Sequence, residues 1–180
     1  RKNILGVYVA SVIAALSVLL VISVYLPGGI EEFDSATSVF QEPTGSYLYV
    51  YVWELLSGSF PASKAIWLVA ICQCLLFGGI VVAVACLSSQ INSKFFYPAA
   101  FLMILCPNVI GRVATSYNEI VYLFFCSFGL LWLFLYCRFT GKMTYGVLSG
   151  IAFGLAFLTR GTILLFPIVG FAALLFVAYR

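Results

Sequence analysis

Charge is what this chain has least of. Of 180 residues only 15 ionise, nine Lys or Arg and six Asp or Glu, far below the density of an ordinary soluble domain. That scarcity argues against a soluble fold and against intrinsic disorder, which needs high charge and low hydrophobicity. Histidine is absent altogether, so a haem site or a Cys/His zinc centre has no support. Cysteine is present six times, at Cys72, Cys74, Cys86, Cys106, Cys126 and Cys137. All fall inside or at the edge of apolar segments and none forms a CxxC pair, so they are read as small packing residues, with no disulfide and no thiolate metal site. The net charge of +3 is too small for nucleic-acid binding, and no nucleic-acid partner is expected.

What the chain has is hydrocarbon. Apolar residues make up 64% and the mean hydropathy is +1.14, with runs long enough to cross about 30 Å of bilayer core. Four stretches are clear: Ile4 to Leu26, Ala65 to Leu87, Ile120 to Tyr136, and Thr144 to Tyr179 with an interruption at Thr159-Arg160-Gly161-Thr162. As one helix the last would reach about 54 Å, too long for a bilayer, so it divides into two. A further segment, Phe95 to about Val109, spans only about 22 Å and should stop beneath the far surface. The expectation is an all-α polytopic membrane protein of about six transmembrane helices, residues 1–180 forming a single transmembrane domain.

The charges orient it. With Arg1 and Lys2 in the cytoplasm, Lys94, Arg138, Lys142 and Arg180 fall on the same side, whereas Lys64, Arg112, Arg160 and all six acids fall on the other. That asymmetry agrees with the positive-inside rule. The amino terminus is therefore expected in the cytoplasm, and the long first loop, residues 27–63, outside or in a lumen. Its Ser46 to Ser57 stretch, SYLYVYVWELLS, crowds Tyr and Trp as headgroup-level segments do, and is read as an interfacial helix. Arg1-Lys2 before an apolar run resembles a signal peptide, but the run exceeds a typical h-region and no cleavage site follows, so it is read as a first span. A first residue other than Met and a charge directly after the last apolar run make both ends look cut.

Gly146, Gly150 and Gly154 recur every four residues and place three glycines on one helix face, where a partner helix can approach closely. A bulky residue at Gly150 is expected to disturb assembly rather than chemistry.

The polar remainder suggests chemistry. Asp34 follows Glu31 and Glu32 and precedes Ser-Ala-Thr; it can cap a helix or serve a site. Glu119 closes the linker GRVATSYNE, with Arg112, Tyr117 and Asn118 beside it. Because the preceding helix is short, Arg112 and Glu119 are expected in a recessed cleft, where an ionisable group requires a partner or a function; Glu119 can pair with Arg112 or Arg160. Two carboxylates on one face with Arg112, Arg160 and Lys64 nearby make a candidate group-transfer site. A carboxylate accepts a proton or holds a divalent cation, and a guanidinium clamps phosphate. Metal dependence and any cofactor stay open on the sequence.

The order of these pieces resembles the membrane glycosyltransferases of the C-type fold, particularly the group with protein O-mannosyltransferases and aminoarabinose transferases. The matching stretches are FDSAT with Asp34, GRVATSYNEI with Glu119, and GIAFGLAFLTRGTILLFP from Gly150 to Pro167. The resemblance implies an enzyme that passes a sugar from a polyprenyl-phosphate donor to an acceptor on the non-cytoplasmic face, with inversion. It implies Asp34 as catalytic base or acceptor-orienting carboxylate, Glu119 as the second acid, and Arg160 facing the donor phosphate. Substrate-binding roles are expected for Arg112, Lys64, Tyr117 and Asn118 beside it. Members usually carry more helices, so the chain is expected to be an amino-terminal portion; and Glu119 follows Asn where many relatives have Asp. Competing readings are a lipid-linked substrate flippase, which would place charges midway down helices and show an internal repeat, and a non-catalytic assembly subunit using the glycine face.

Overall fold

A computed structural model describes residues 2–25, 58–59, 62–107, 109–110, 119–139 and 142–159. They form five helices and one 3-10 turn: α1 Ile4–Tyr25, α2 Ala62–Ile91, the turn Ser93–Phe95, α3 Phe96–Leu105, α4 Glu119–Arg138 and α5 Met143–Thr159. All regular structure among the described residues is helical. Three segments are long and apolar enough to cross a membrane: Ile4–Val24, Trp67–Ile91 and Glu119–Arg138. Ser93–Leu105 and Met143–Thr159 are apolar but shorter. Large side chains such as Leu5, Leu20, Val24 and Leu102 stand exposed around the bundle, a surface that suits hydrocarbon far better than water.

The helix bounds follow from local chemistry. Within α1 the hydroxyls turn inward on their own helix: Ser11 Oγ donates to the Val7 carbonyl at 2.7 Å, Ser17 to Ile13 at 2.8 Å and Ser23 to Leu20 at 2.8 Å. Each polar group is thereby satisfied without water, as a bilayer requires. α2 runs beyond the expected Leu87 to Ile91, and Asn92, in extended backbone, accepts from the Lys94 amide at 3.0 Å to start the 3-10 turn. α3 tolerates Pro98 in its first turn, then stops at Leu105, earlier than the apolar run to Val109 suggested. The cause is Pro107: the residue before a proline is disfavoured in α backbone, and Cys106 accordingly adopts φ −73°, ψ 105°. α3 is therefore only about 15 Å long. Helical backbone resumes at Pro107, the Val109 and Ile110 amides donating to the Cys106 carbonyl at 3.1 and 3.0 Å, and both residues pack against the core.

Three contacts far apart in sequence define one end of the bundle. Lys2 Nζ donates to Ser89 Oγ at 2.8 Å, the Asn3 amide to the Tyr97 hydroxyl at 3.2 Å, and Arg138 Nη1 to Gln90 Oε1 at 2.7 Å. The starts of α1 and α3 and the ends of α2 and α4 thus meet. The short link at 139–142 returns the chain from the same end, with the Lys142 amide on the Phe139 carbonyl at 3.3 Å. Lys2, Lys94, Arg138 and Lys142 all belong to this basic end.

α2 is the central helix: 61% of its apolar window is buried, against 17% for α1 and 17% for α4. The core joins Ala15 and Leu19 of α1, Phe77 and Ile80 of α2, Phe96 of α3 and Ile120 of α4. Two adjacent glycines let α2 serve both flanks. A Cβ on Gly78 would lie 2.7 Å from Val12 and 2.9 Å from Tyr8 of α1, and one on Gly79 would lie 2.6 Å from Phe124 of α4.

α4 and α5 form the most extensive pairing. The α5 face that packs is Ser149, Ala152, Ala156 and Thr159, and Ser149 Oγ donates to the Gly129 carbonyl of α4 at 2.9 Å. Of the glycine face, Gly146 lies close to the Tyr136 ring, whereas a Cβ at Gly150 or Gly154 would meet no described atom within 4 Å. The seam between the two helices is therefore made mainly beside the glycine repeat, by small residues of which Ser149 also makes a hydrogen bond. Ser149→Ala is expected to lower stability by about 0.6 kcal/mol, and by no more than about 1.7 kcal/mol, read as the unfolding midpoint in detergent titrated with denaturant. All six cysteines are free.

Candidate active site

The helix directions place the expected site residues. α2 and α4 run toward the basic end and α5 runs away from it, so the start of α2, the start of α4 and the end of α5 all point away from that end; Phe124 of α4 packs at Gly79, which sets Glu119 near the level of Cys74. Lys64 is the third residue of α2 in its backbone, and its side chain is outside the described residues. Glu119, expected in a linker, is instead the first residue of α4. It is half-buried, directly ahead of fully buried Ile120. The position has a physical reason: a helix amino terminus carries unpaired amides and a partial positive charge, both of which favour a carboxylate there. Thr159, the last described residue of α5, is fully buried, its hydroxyl donating to the Leu155 carbonyl at 2.8 Å. The division of the last apolar region at Thr-Arg-Gly-Thr falls on the residues beyond it, outside the described ones.

Asp34, Arg112, Tyr117, Asn118 and Arg160 lie outside the described residues, as do the 46–57 interfacial segment and most of the 27–63 loop. Their flanking helix ends are described: Tyr25, Ala62, Ile110, Glu119 and Thr159. The structure puts Lys64 and Glu119 on the same side of the bundle, away from the basic end, but sets Lys64 about 15 Å further along the axis than the level of Glu119. It separates both from Lys2, Lys94, Arg138 and Lys142 by the length of α4 or more. Among the described residues no group of three His, Cys, Asp or Glu could hold a metal ion.

This region has definite chemical capacity. Glu119 can accept a proton or hold an acceptor hydroxyl, and its helix start presents amide donors toward an anion. The short α3 leaves the chain at 106–110 well inside the span of its neighbours, so the linker that follows starts from within the bundle.

Gln73 was not singled out from the sequence. It lies in α2 within the Trp67–Ile91 span and is only 1% exposed. The signal was available: an amide far from either end of a long apolar segment marks either helix packing or a polar pathway.

No family model, curated protein or solved structure matches the chain.

Proposed function

We propose that the protein is an integral-membrane glycosyltransferase that takes a sugar from a polyprenyl-phosphate donor and delivers it to an acceptor at the non-cytoplasmic face. The observation that carries the reading is the sorting of charge by helix end. Glu119 and, further along, the start of α2 with Lys64 lie away from the end where Lys2, Lys94, Arg138 and Lys142 gather. By the positive-inside rule the basic end is cytoplasmic, and the proposed topology has about six spans, the sixth following Arg160.

In this reading the acceptor oxygen attacks C1 of the sugar while the bond from C1 to the phosphate oxygen breaks. The electron pair leaves with polyprenyl phosphate and the acceptor proton passes to the Asp34 carboxylate. Glu119 holds the acceptor in line, an effect of position that can contribute several kcal/mol to the barrier. Arg160 and Arg112 meet the charge that develops on the leaving phosphate, with Lys64, Tyr117 and Asn118 completing the pocket. An acid that reaches the site through a helix start rather than a loop is better fixed for that task.

The test is donor-dependent transfer by the intact protein in liposomes with a radiolabelled polyprenyl-phosphate sugar. Appearance of labelled acceptor with release of one polyprenyl phosphate per sugar is the expected result. Movement of intact donor between leaflets without cleavage would instead establish a flippase.

A further inference from the structure

α1 and α3 touch at the basic end through the Asn3 amide and the Tyr97 hydroxyl, and below that contact a groove of about 510 Å³ opens between them. Gly6 and Ala10 form its α1 wall, Tyr97, Phe101 and Ile104 its α3 wall, and Asn3 its mouth. Seven residues separate Asn3 from Ala10 and Tyr97 from Ile104, so each wall runs about 10 Å along its helix. The small residues on α1 make the space, and the walls beneath the mouth are apolar.

Two lysines flank the mouth along the chain. Lys2 directly precedes Asn3, and Lys94 stands three residues before Tyr97; both are exposed. Lys2 Nζ lies 5.8 Å from the Phe96 ring centroid and gives one of its three donors to Ser89 Oγ, which leaves two for a ligand. Ser89 in turn donates to the Cys86 carbonyl at 2.7 Å, so the lysine is held by a hydroxyl that is itself fixed. Glu119, the acid among the described residues, is at the far end of α4. Among the described residues no acid lies at this end to offset the two lysines, and an apolar slot flanked along the chain by Lys2 and Lys94 suits an acyl chain beneath a phosphate.

We propose that this groove holds one acyl chain of an anionic glycerophospholipid, with the lipid phosphate between Lys2 and Lys94. The occupant is a structural lipid, separate from the sugar donor, and the inference does not depend on the glycosyltransferase reading. A zwitterionic lipid offers the same chain but brings its own cation to the lysines, so the headgroup decides the preference.

The experiment is native mass spectrometry of the intact protein titrated with phosphatidylglycerol or phosphatidylcholine of identical chains. One phosphatidylglycerol is expected to be retained in preference to phosphatidylcholine by about tenfold or more. The double variant Lys2→Gln/Lys94→Gln should erase that preference, and Lys142→Gln, at the same end but outside the groove, should keep it. Ala10→Leu, an exposed position whose side chain fills the slot, should weaken retention of both lipids. The proposal is overturned by equal retention of the two lipids or by a preference that survives in the double variant. It is equally overturned by a loss in Lys142→Gln as large as in the double variant, which would mean diffuse charge attraction. Unchanged binding in Ala10→Leu would also overturn it, since another segment would then cover the groove.

Discussion

Asp34→Asn in the intact protein is expected to lower sugar transfer by about 100-fold to 10,000-fold, the range a positioned general base contributes. The amide keeps the size and the cap-forming oxygen of the acid but neither the charge nor the ability to take the acceptor proton. Folding should therefore be retained, with the unfolding midpoint near that of the parent, while the rate falls. The measurement is initial rate of labelled-sugar transfer at saturating donor, alongside the midpoint in the same detergent. If Asp34 were only a helix cap, the outcome would differ in kind: asparagine caps as well as aspartate, and activity would be preserved.

The second large effect is expected at the glycine pair of α2. Gly79→Leu would drive a side chain into Phe124, whose ring would stand 2.6 Å from the new Cβ. Phe124 has little room to yield, because it also packs on Phe125 and Phe128 with ring centroids 5.6 and 4.7 Å apart. Overpacking of this kind costs about 1 to 3 kcal/mol, and displacement of α4 would carry Glu119 with it. Both the unfolding midpoint and the transfer rate should drop. Gly78→Leu should disturb α1 instead, through Tyr8 and Val12, and Gly150→Leu is the matched comparison, since a Cβ there meets no described neighbour. A loss of stability as large at Gly150 as at Gly79 would show that the glycine face of α5 is covered, as an assembly interface requires.

Hydropathy located the three long helices to within a few residues because composition alone decides them: a run such as Ile4 to Leu26 has no polar competitor. Charge placement was equally legible, since each Lys or Arg must leave hydrocarbon, and Lys2, Lys94, Arg138 and Lys142 converge on one end. What apolar content could not convey was where backbone geometry interrupts it. The run to Val109 stays hydrophobic past Leu105, and only the conformational restriction on Cys106 before Pro107 ends α3 there. Helix faces were harder still. Gly146, Gly150 and Gly154 and the set Ser149, Ala152 and Ala156 are comparably small, and which face packs is decided by the partner helix, where the Gly129 carbonyl accepts from Ser149. The importance of Gly78 and Gly79 was hidden for the same reason, since close approach is a property of neighbours. For the site, reading Glu119 as linker rather than helix start reflects its polar context; the helix begins one residue earlier because a carboxylate suits that terminus.

The most direct test of the account is an experimental structure of the intact protein with polyprenyl phosphate bound. The account predicts the phosphate within about 4 Å of the Arg160 guanidinium, an ion-pair distance. It also predicts Asp34 and Glu119 lining the same cavity at a separation of about 10 Å or less, the reach of two carboxylates acting on one sugar. Asp34 and Glu119 about 20 Å apart with no cavity between them, roughly twice that reach, would contradict it.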